Sequence, residues 1–80
     1  MQLARFLNKV FKKDGFILTD ANSKDYIIGD PGKNPIKLKI LNKSLHYKLL
    51  LHPDLYFGEA YTDGEIIIYN GTLKELLDLA

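Results

Sequence analysis

The chain has 80 residues and a mass of 9.1 kDa, 46% hydrophobic and 26% charged, which excludes disordered, collagen-like and low-complexity classes and sets the scale of one small domain. It holds no cysteine and only two histidines, His46 and His52, so a disulfide framework, a thiolate zinc site and a cysteine nucleophile are excluded and a metal site is disfavoured. The net charge of +1 hides an asymmetry: residues 1–13 carry Arg5, Lys9, Lys12 and Lys13 with no acid, while 54–80 carry six acids against Lys74, a pattern that suits an anionic partner near one end or two solvated faces that attract one another.

Along the chain, Leu3, Phe6, Leu7, Val10 and Phe11 recur at helical spacing with Arg5, Asn8, Lys9, Lys12 and Lys13 opposite, which predicts an amphipathic helix over about 2–13. Asp14-Gly15 is expected to stop it, with Gly15 in the left-handed cap. Two β-prone runs, 16–19 and 26–29, flank a polar stretch of hairpin-loop length. The breaker cluster Asp30-Pro31-Gly32-Lys33-Asn34-Pro35 predicts a loop. Ile36, Leu38 and Ile40 then alternate with Lys37 and Lys39, a half-buried strand whose lysines face outward and discourage aggregation at a sheet edge.

A helix capped by Asn42 or Ser44 is predicted to run from Leu45 to His52, where Pro53 breaks it and starts a second helix over about 54–62. Residues 65–69 predict a buried strand, and Asn70-Gly71 a turn. Thr72 and Glu75 have the spacing of a capping box. Leu73, Leu76, Leu77 and Ala80 line one side of the helix that follows. That helix reaches Ala80 without a stop signal, which predicts a piece of a longer protein. The order α-β-β-β-α-α-β-α implies an α+β domain, a mainly antiparallel four-stranded sheet with helices on one side. The longest apolar runs, Leu49–Leu51 and Ile66–Tyr69, fall far short of the roughly 20 residues that cross a bilayer. No apolar segment with a cleavage site opens the chain, which predicts a cytoplasmic location, at most peripheral to the inner face of the membrane.

The segment Pro53-Asp-Leu-Tyr-Phe-Gly-Glu-Ala-Tyr-Thr-Asp-Gly64 is the most specific in the chain. Its Gly58-Glu59-Ala60-Tyr61-Thr62-Asp63-Gly64 resembles the Gly-Glu-Ala/Ser-Tyr-Met-Asp/Glu-Gly signature at the amino-terminal end of cyclopropane-fatty-acyl-phospholipid synthases and mycolic acid cyclopropane synthases. The resemblance extends more loosely over all 80 residues and departs at Thr62, where methionine is usual, and after Gly64, where some members carry tryptophans. It implies the non-catalytic amino-terminal domain of an S-adenosylmethionine-dependent methyltransferase, assisting acyl-phospholipid engagement and packing on its own carboxy-terminal catalytic domain. The cofactor and the catalytic residues belong to that second domain, and these 80 residues contain no Gly-x-Gly pair.

Read as residues alone, Gly58 is costly within a helix and marks the close approach of another backbone or of a ligand. Glu59 and Asp63, four apart, call for a cation. The bland account makes Gly58 a packing notch, Tyr61 a core aromatic and Gly64 a C-cap. The other makes Gly58, Glu59, Tyr61, Asp63 and Gly64 a surface against a second domain or a lipid head group. Arg5, Lys9, Lys12 and Lys13 suit an anionic phospholipid surface while the apolar side of their helix packs on the sheet. His46 and His52 lack a third ligand, and His46 is expected on an exposed helix face. Lys37 and Lys39 with Tyr47 and Lys48 hint at nucleic acid, but near-neutral charge weighs against it. A free-standing interaction module or homodimer is the alternative from a different class, with an anion or nucleic-acid binder third.

Overall fold

The computed structural model describes the backbone of residues 1–79 and every side chain among them but that of Asp54; the expectation for Ala80 lies outside the described residues. Helix α1 spans Gln2–Val10, strand β1 Phe16–Thr19, β2 Asp25–Ile28, β3 Lys37–Ile40, helix α2 Leu45–Leu51, α3 Pro53–Thr62, β4 Ile66–Tyr69 and α4 Leu73–Asp78. The strands form one sheet in the order β2-β1-β3-β4. β1 pairs antiparallel with β2 and parallel with β3, and β3 pairs antiparallel with β4. The α+β class and the order of elements are as the sequence implies. β3 is an interior strand, so its lysines do not guard a sheet edge as expected.

Register places Phe16, Leu18, Ile28, Leu38, Ile40 and Ile66 on one face of the sheet, all buried. Leu3, Ala4 and Leu7 of α1, Leu45 and Leu49 of α2, Ala60 of α3 and Leu76 of α4 cover that face. The core is built because each helix offers one apolar stripe and each strand one apolar side.

α1 ends three residues earlier than its periodicity predicts. Phe11 is extended (φ −98°, ψ 95°) while its N–H still bonds the Leu7 carbonyl. Unwinding lets the Phe11 ring pack edge-on against Phe16, 5.1 Å between centroids, so Lys12 and Lys13 lie in the bend beyond the helix. Gly15 is not a left-handed cap either. Its need for glycine is steric, because any Cβ there would collide with the Ile28 carbonyl oxygen.

The β1–β2 loop is organised by Asp20, whose Oδ1 accepts N–H bonds from Asn22 and Lys24, each at 2.9 Å. Asn70, at φ 61°, turns the chain after β4 and donates from Nδ2 to Asn34 Oδ1 at 2.8 Å and to the Pro35 carbonyl at 3.1 Å. Thr72 and Glu75 form the capping box of α4. Before α2, Asn42 accepts from the Ser44 N–H and hydroxyl, whereas Ser44 stands at the N-cap without capping through its own side chain.

Two expectations about burial fail. β4 is not buried on both faces: Ile66 is buried and Ile68 half-buried, but Ile67 and Tyr69 point to the uncovered side of the sheet. Leu77 lies outside the core, 53% exposed, although it follows Leu76 in the α4 stripe.

Candidate functional site

The basic side of α1 comes first. Arg5 and Lys9 are exposed one turn apart on the helix, and Lys12 and Lys13 are exposed in the bend that follows. The opposite stripe of the same helix is anchored in the core by Leu3 and Leu7, so the cations are displayed from a fixed support. Asn8 fastens the helix further: its Oδ1 accepts the Gly29 N–H at 2.8 Å.

Beside this cationic side runs an apolar groove of about 290 Å³ between α1, α3 and α4. Phe6, Val10 and Phe11 line it from the α1 side, Pro53 and Phe57 from α3, and Leu77 from α4. Its volume is at the lower end of small-molecule sites. Two of its lining residues, Phe11 in the bend after α1 and the exposed Leu77, stand where helical periodicity does not predict them. Its α1 wall is continuous in the chain with Lys9 and Lys12.

α3 carries the heptapeptide. Proline stands at its first turn, and Gly64, at φ +74°, terminates it in the left-handed conformation expected of a C-cap glycine. Ala60 packs in the core, whereas Gly58, Glu59, Tyr61, Thr62, Asp63 and Gly64 are all exposed. The packing-notch account of Gly58 is overturned, since a Cβ built there meets nothing within 4 Å. Tyr61 is likewise not a core aromatic, being 47% exposed. The motif is a surface.

Gly58→Ala is therefore expected to stabilise the isolated chain by about 1 kcal/mol, the helix-propensity gain with no steric penalty. In a domain of this size that raises the melting temperature by roughly 4–8 °C, which a thermal melt followed by circular dichroism checks.

A second hollow, about 350 Å³, lies between the start of α1, the β1–β2 loop and α2, lined among others by Asp20, Lys43, His46, Tyr47 and Leu50. His46 is half-buried, not displayed on an exposed face as expected, and its Nε2 is buried without a hydrogen-bond partner. Asp20 is 8% exposed. Its carboxyl is held below its ordinary value mainly by the Lys24 backbone N–H, against the opposing effect of burial, with help from the Asn22 N–H, the Tyr26 hydroxyl and the His46 charge. These contacts serve the hairpin. The sequence marks His46 as one of two histidines and Asp20 as part of a polar loop, but their burial is created by packing and is not legible there.

His52 is exposed at the junction of α2 and α3, its ring 6.2 Å from that of Tyr56. Among the described residues no group of three or more His, Asp or Glu could hold a metal ion. Lys37 and Lys39 sit on the uncovered sheet face, whereas Tyr47 and Lys48 belong to α2 in the helical layer, so these four residues do not make one patch. Among the described residues no helix is long and apolar enough to cross a membrane. No protein-family model, no curated protein and no solved structure matches this chain.

Proposed function

We propose that this chain is a non-catalytic accessory domain of the cyclopropane-synthase type that engages acyl phospholipid at an anionic surface. On this proposal α3 meets a second protein surface, and S-adenosylmethionine chemistry belongs to a methyltransferase domain outside these residues. The observation that carries the lipid part is the apolar groove of Phe6, Val10, Phe11, Pro53, Phe57 and Leu77 running beside the exposed Arg5, Lys9, Lys12 and Lys13. An acyl lipid has that division of chemistry, an apolar chain next to an anionic head group. The surface exposure of Gly58, Glu59, Tyr61 and Asp63 supports the contact role of α3.

The experiment is co-sedimentation with vesicles of phosphatidylglycerol and phosphatidylcholine, set against phosphatidylcholine alone. Each cation near an anionic surface contributes about 1 kcal/mol, and salt screens the attraction. Replacing Arg5, Lys9, Lys12 and Lys13 by glutamine is expected to abolish binding to the anionic vesicles and leave the circular dichroism spectrum unchanged, because the core stripe of α1 is untouched. Binding that survives the four replacements, or that is equal on neutral vesicles, removes the proposal.

A further inference from the structure

α3 makes three choices that weaken it locally and that nothing inside the chain compensates. Gly58 stands within the helix with open space where its side chain would be. Glu59 and Asp63 are exposed like charges one turn apart, and Asp63 sits at the negative, C-terminal end of the helix dipole. Among the described residues no lysine or arginine lies within ion-pair distance of either carboxylate. Leu55 is 54% exposed and Tyr61 47%, three residues to either side of Gly58. Local rules broken together in this way mark a surface shaped for something else. Here that something approaches closely, carries cations and is apolar around them.

The far side of the same molecule has those properties. All four helices cover one face of the sheet, and the other face is open. Across it one row runs Ile27, Ile17, Lys37, Tyr69 and the next runs Asp25, Thr19, Lys39, Ile67. Lys37 and Lys39 thus stand together on an interior strand, with Ile17 and Ile27 on one side and Ile67 and Tyr69 on the other. Ile27 is 66% exposed and Tyr69 47%. Asp25, the one acid in these rows, is at the margin and accepts from the Thr19 hydroxyl at 2.7 Å.

The two surfaces match in spacing. Alternate residues of a strand are about 6.6 Å apart, and residues four apart on a helix rise about 6 Å. A helix laid along β3 brings Glu59 and Asp63 level with Lys37 and Lys39. The ten residues of α3 span about 15 Å, close to the roughly 13 Å of a four-residue strand. On the helix Leu55 lies between Gly58 and Glu59, so Gly58 lets the axis settle toward the sheet and Leu55 meets the flanking isoleucines, while Tyr61 turns away from the contact.

We propose that the open sheet face of one copy receives α3 of a second copy. The two surfaces lie on opposite sides of the domain, so the contact is head-to-tail and builds a ring or a chain of copies, not a twofold pair. Two open faces pressed together would instead stack four lysines. The proposal rests on the contact role of α3 in the function proposed above and does not involve the α1 groove. So small a patch gives a weak, concentration-dependent contact.

Sedimentation velocity from about 10 μM to about 1 mM, the range of weak contacts, tests it. The wild-type chain is expected to sediment faster as concentration rises. A Lys37→Glu/Lys39→Glu variant and a Glu59→Lys/Asp63→Lys variant are each expected to stay monomeric, at least tenfold weaker in association. All four positions are exposed or half-exposed and lie outside the core, and unchanged circular dichroism spectra confirm the fold of each variant. An equimolar mixture of the two variants restores both charge pairings and is expected to associate as the wild type does. Gly58→Leu, which keeps the charges but fills the close approach, is expected to weaken association by a similar factor.

A wild-type chain that remains monomeric throughout, association that survives either charge reversal, or a mixture that fails to associate overturns the proposal. Vesicle binding reads the α1 surface separately, so loss of self-association with vesicle binding intact rejects this contact without rejecting lipid engagement.

Discussion

Gly15→Ala is expected to leave the chain without a cooperative thermal transition. A methyl group at Gly15 would collide with the Ile28 carbonyl oxygen and stand 2.7 Å from the Asp30 nitrogen. Both are backbone atoms, and neither can rotate away as a side-chain tip does. Gly29 opposes it at φ +64°, and a Cβ there would lie 2.8 Å from the Phe11 carbonyl oxygen and 3.1 Å from the Gly15 Cα. The two glycines therefore form one seam, where the segment leaving α1 passes against the end of β2. Relief requires the seam to open, which unseats Phe16 and Ile28, both buried and paired in register across β1 and β2.

A clash of this kind costs upward of about 4 kcal/mol, while a domain of this length is stable by roughly 4–12 kcal/mol in total. Amide dispersion in a nitrogen–proton spectrum and a circular dichroism melt check the outcome. Native dispersion with a melting temperature near that of wild type would contradict it. The same replacement at Gly58 is expected to stabilise, so glycine-to-alanine changes of opposite sign separate a glycine the fold requires from one it does not.

The second large effect is at Asp20. Its carboxylate accepts the Asn22 and Lys24 N–H groups at 2.9 Å each and the Tyr26 hydroxyl at 3.3 Å. Asp20→Ala removes the acceptor for all three, and hydrogen bonds to a charged group contribute about 1.5–3 kcal/mol apiece net of exchange with water. With the loop able to rehydrate in part, a loss of about 2–4 kcal/mol is expected, seen as a lower midpoint in urea with little change in slope. The pH dependence follows from the lowered pKa. A carboxyl whose folded value is depressed contributes stability above its ordinary value of 3.8 and loses it as pH falls through the folded value. Asp20→Asn keeps an acceptor oxygen but no charge. Its stability deficit against wild type is expected to be full at neutral pH and to shrink toward zero in acid. A deficit independent of pH would show that the charge of Asp20 is not what holds the loop.

Much of this molecule is decided by residues acting on their near neighbours. Asp20 with the polar loop behind it specifies a hairpin, Thr72 and Glu75 specify a helix start, and Pro53 and Gly64 delimit α3, because each satisfies or withholds a backbone hydrogen bond within a few residues. The alternation of Ile36–Ile40 likewise declares which side of β3 faces the core. From such signals the order of elements and the α+β class can be read before any coordinates.

The remainder needed three dimensions. The run Ile66–Tyr69 is apolar at every position, and such a run does not say whether one face or both are covered; the arrangement of helices leaves Ile67 and Tyr69 on the open side. The parallel pairing of β1 with β3 joins segments separated by a whole strand, which no local pattern encodes. Phe11 continues the helical period yet leaves the helix for the edge of Phe16, a choice made by packing over propensity. The sequence reads Gly15 as a helix cap and Gly58 as a close approach within a helix, and only the tertiary structure shows backbone against the first and open space beside the second. The chemistry of each candidate contact residue was thus present in the sequence. Which of them are gathered on one surface, and which surfaces the domain leaves uncovered, was decided by the packing of four helices on a single face of the sheet.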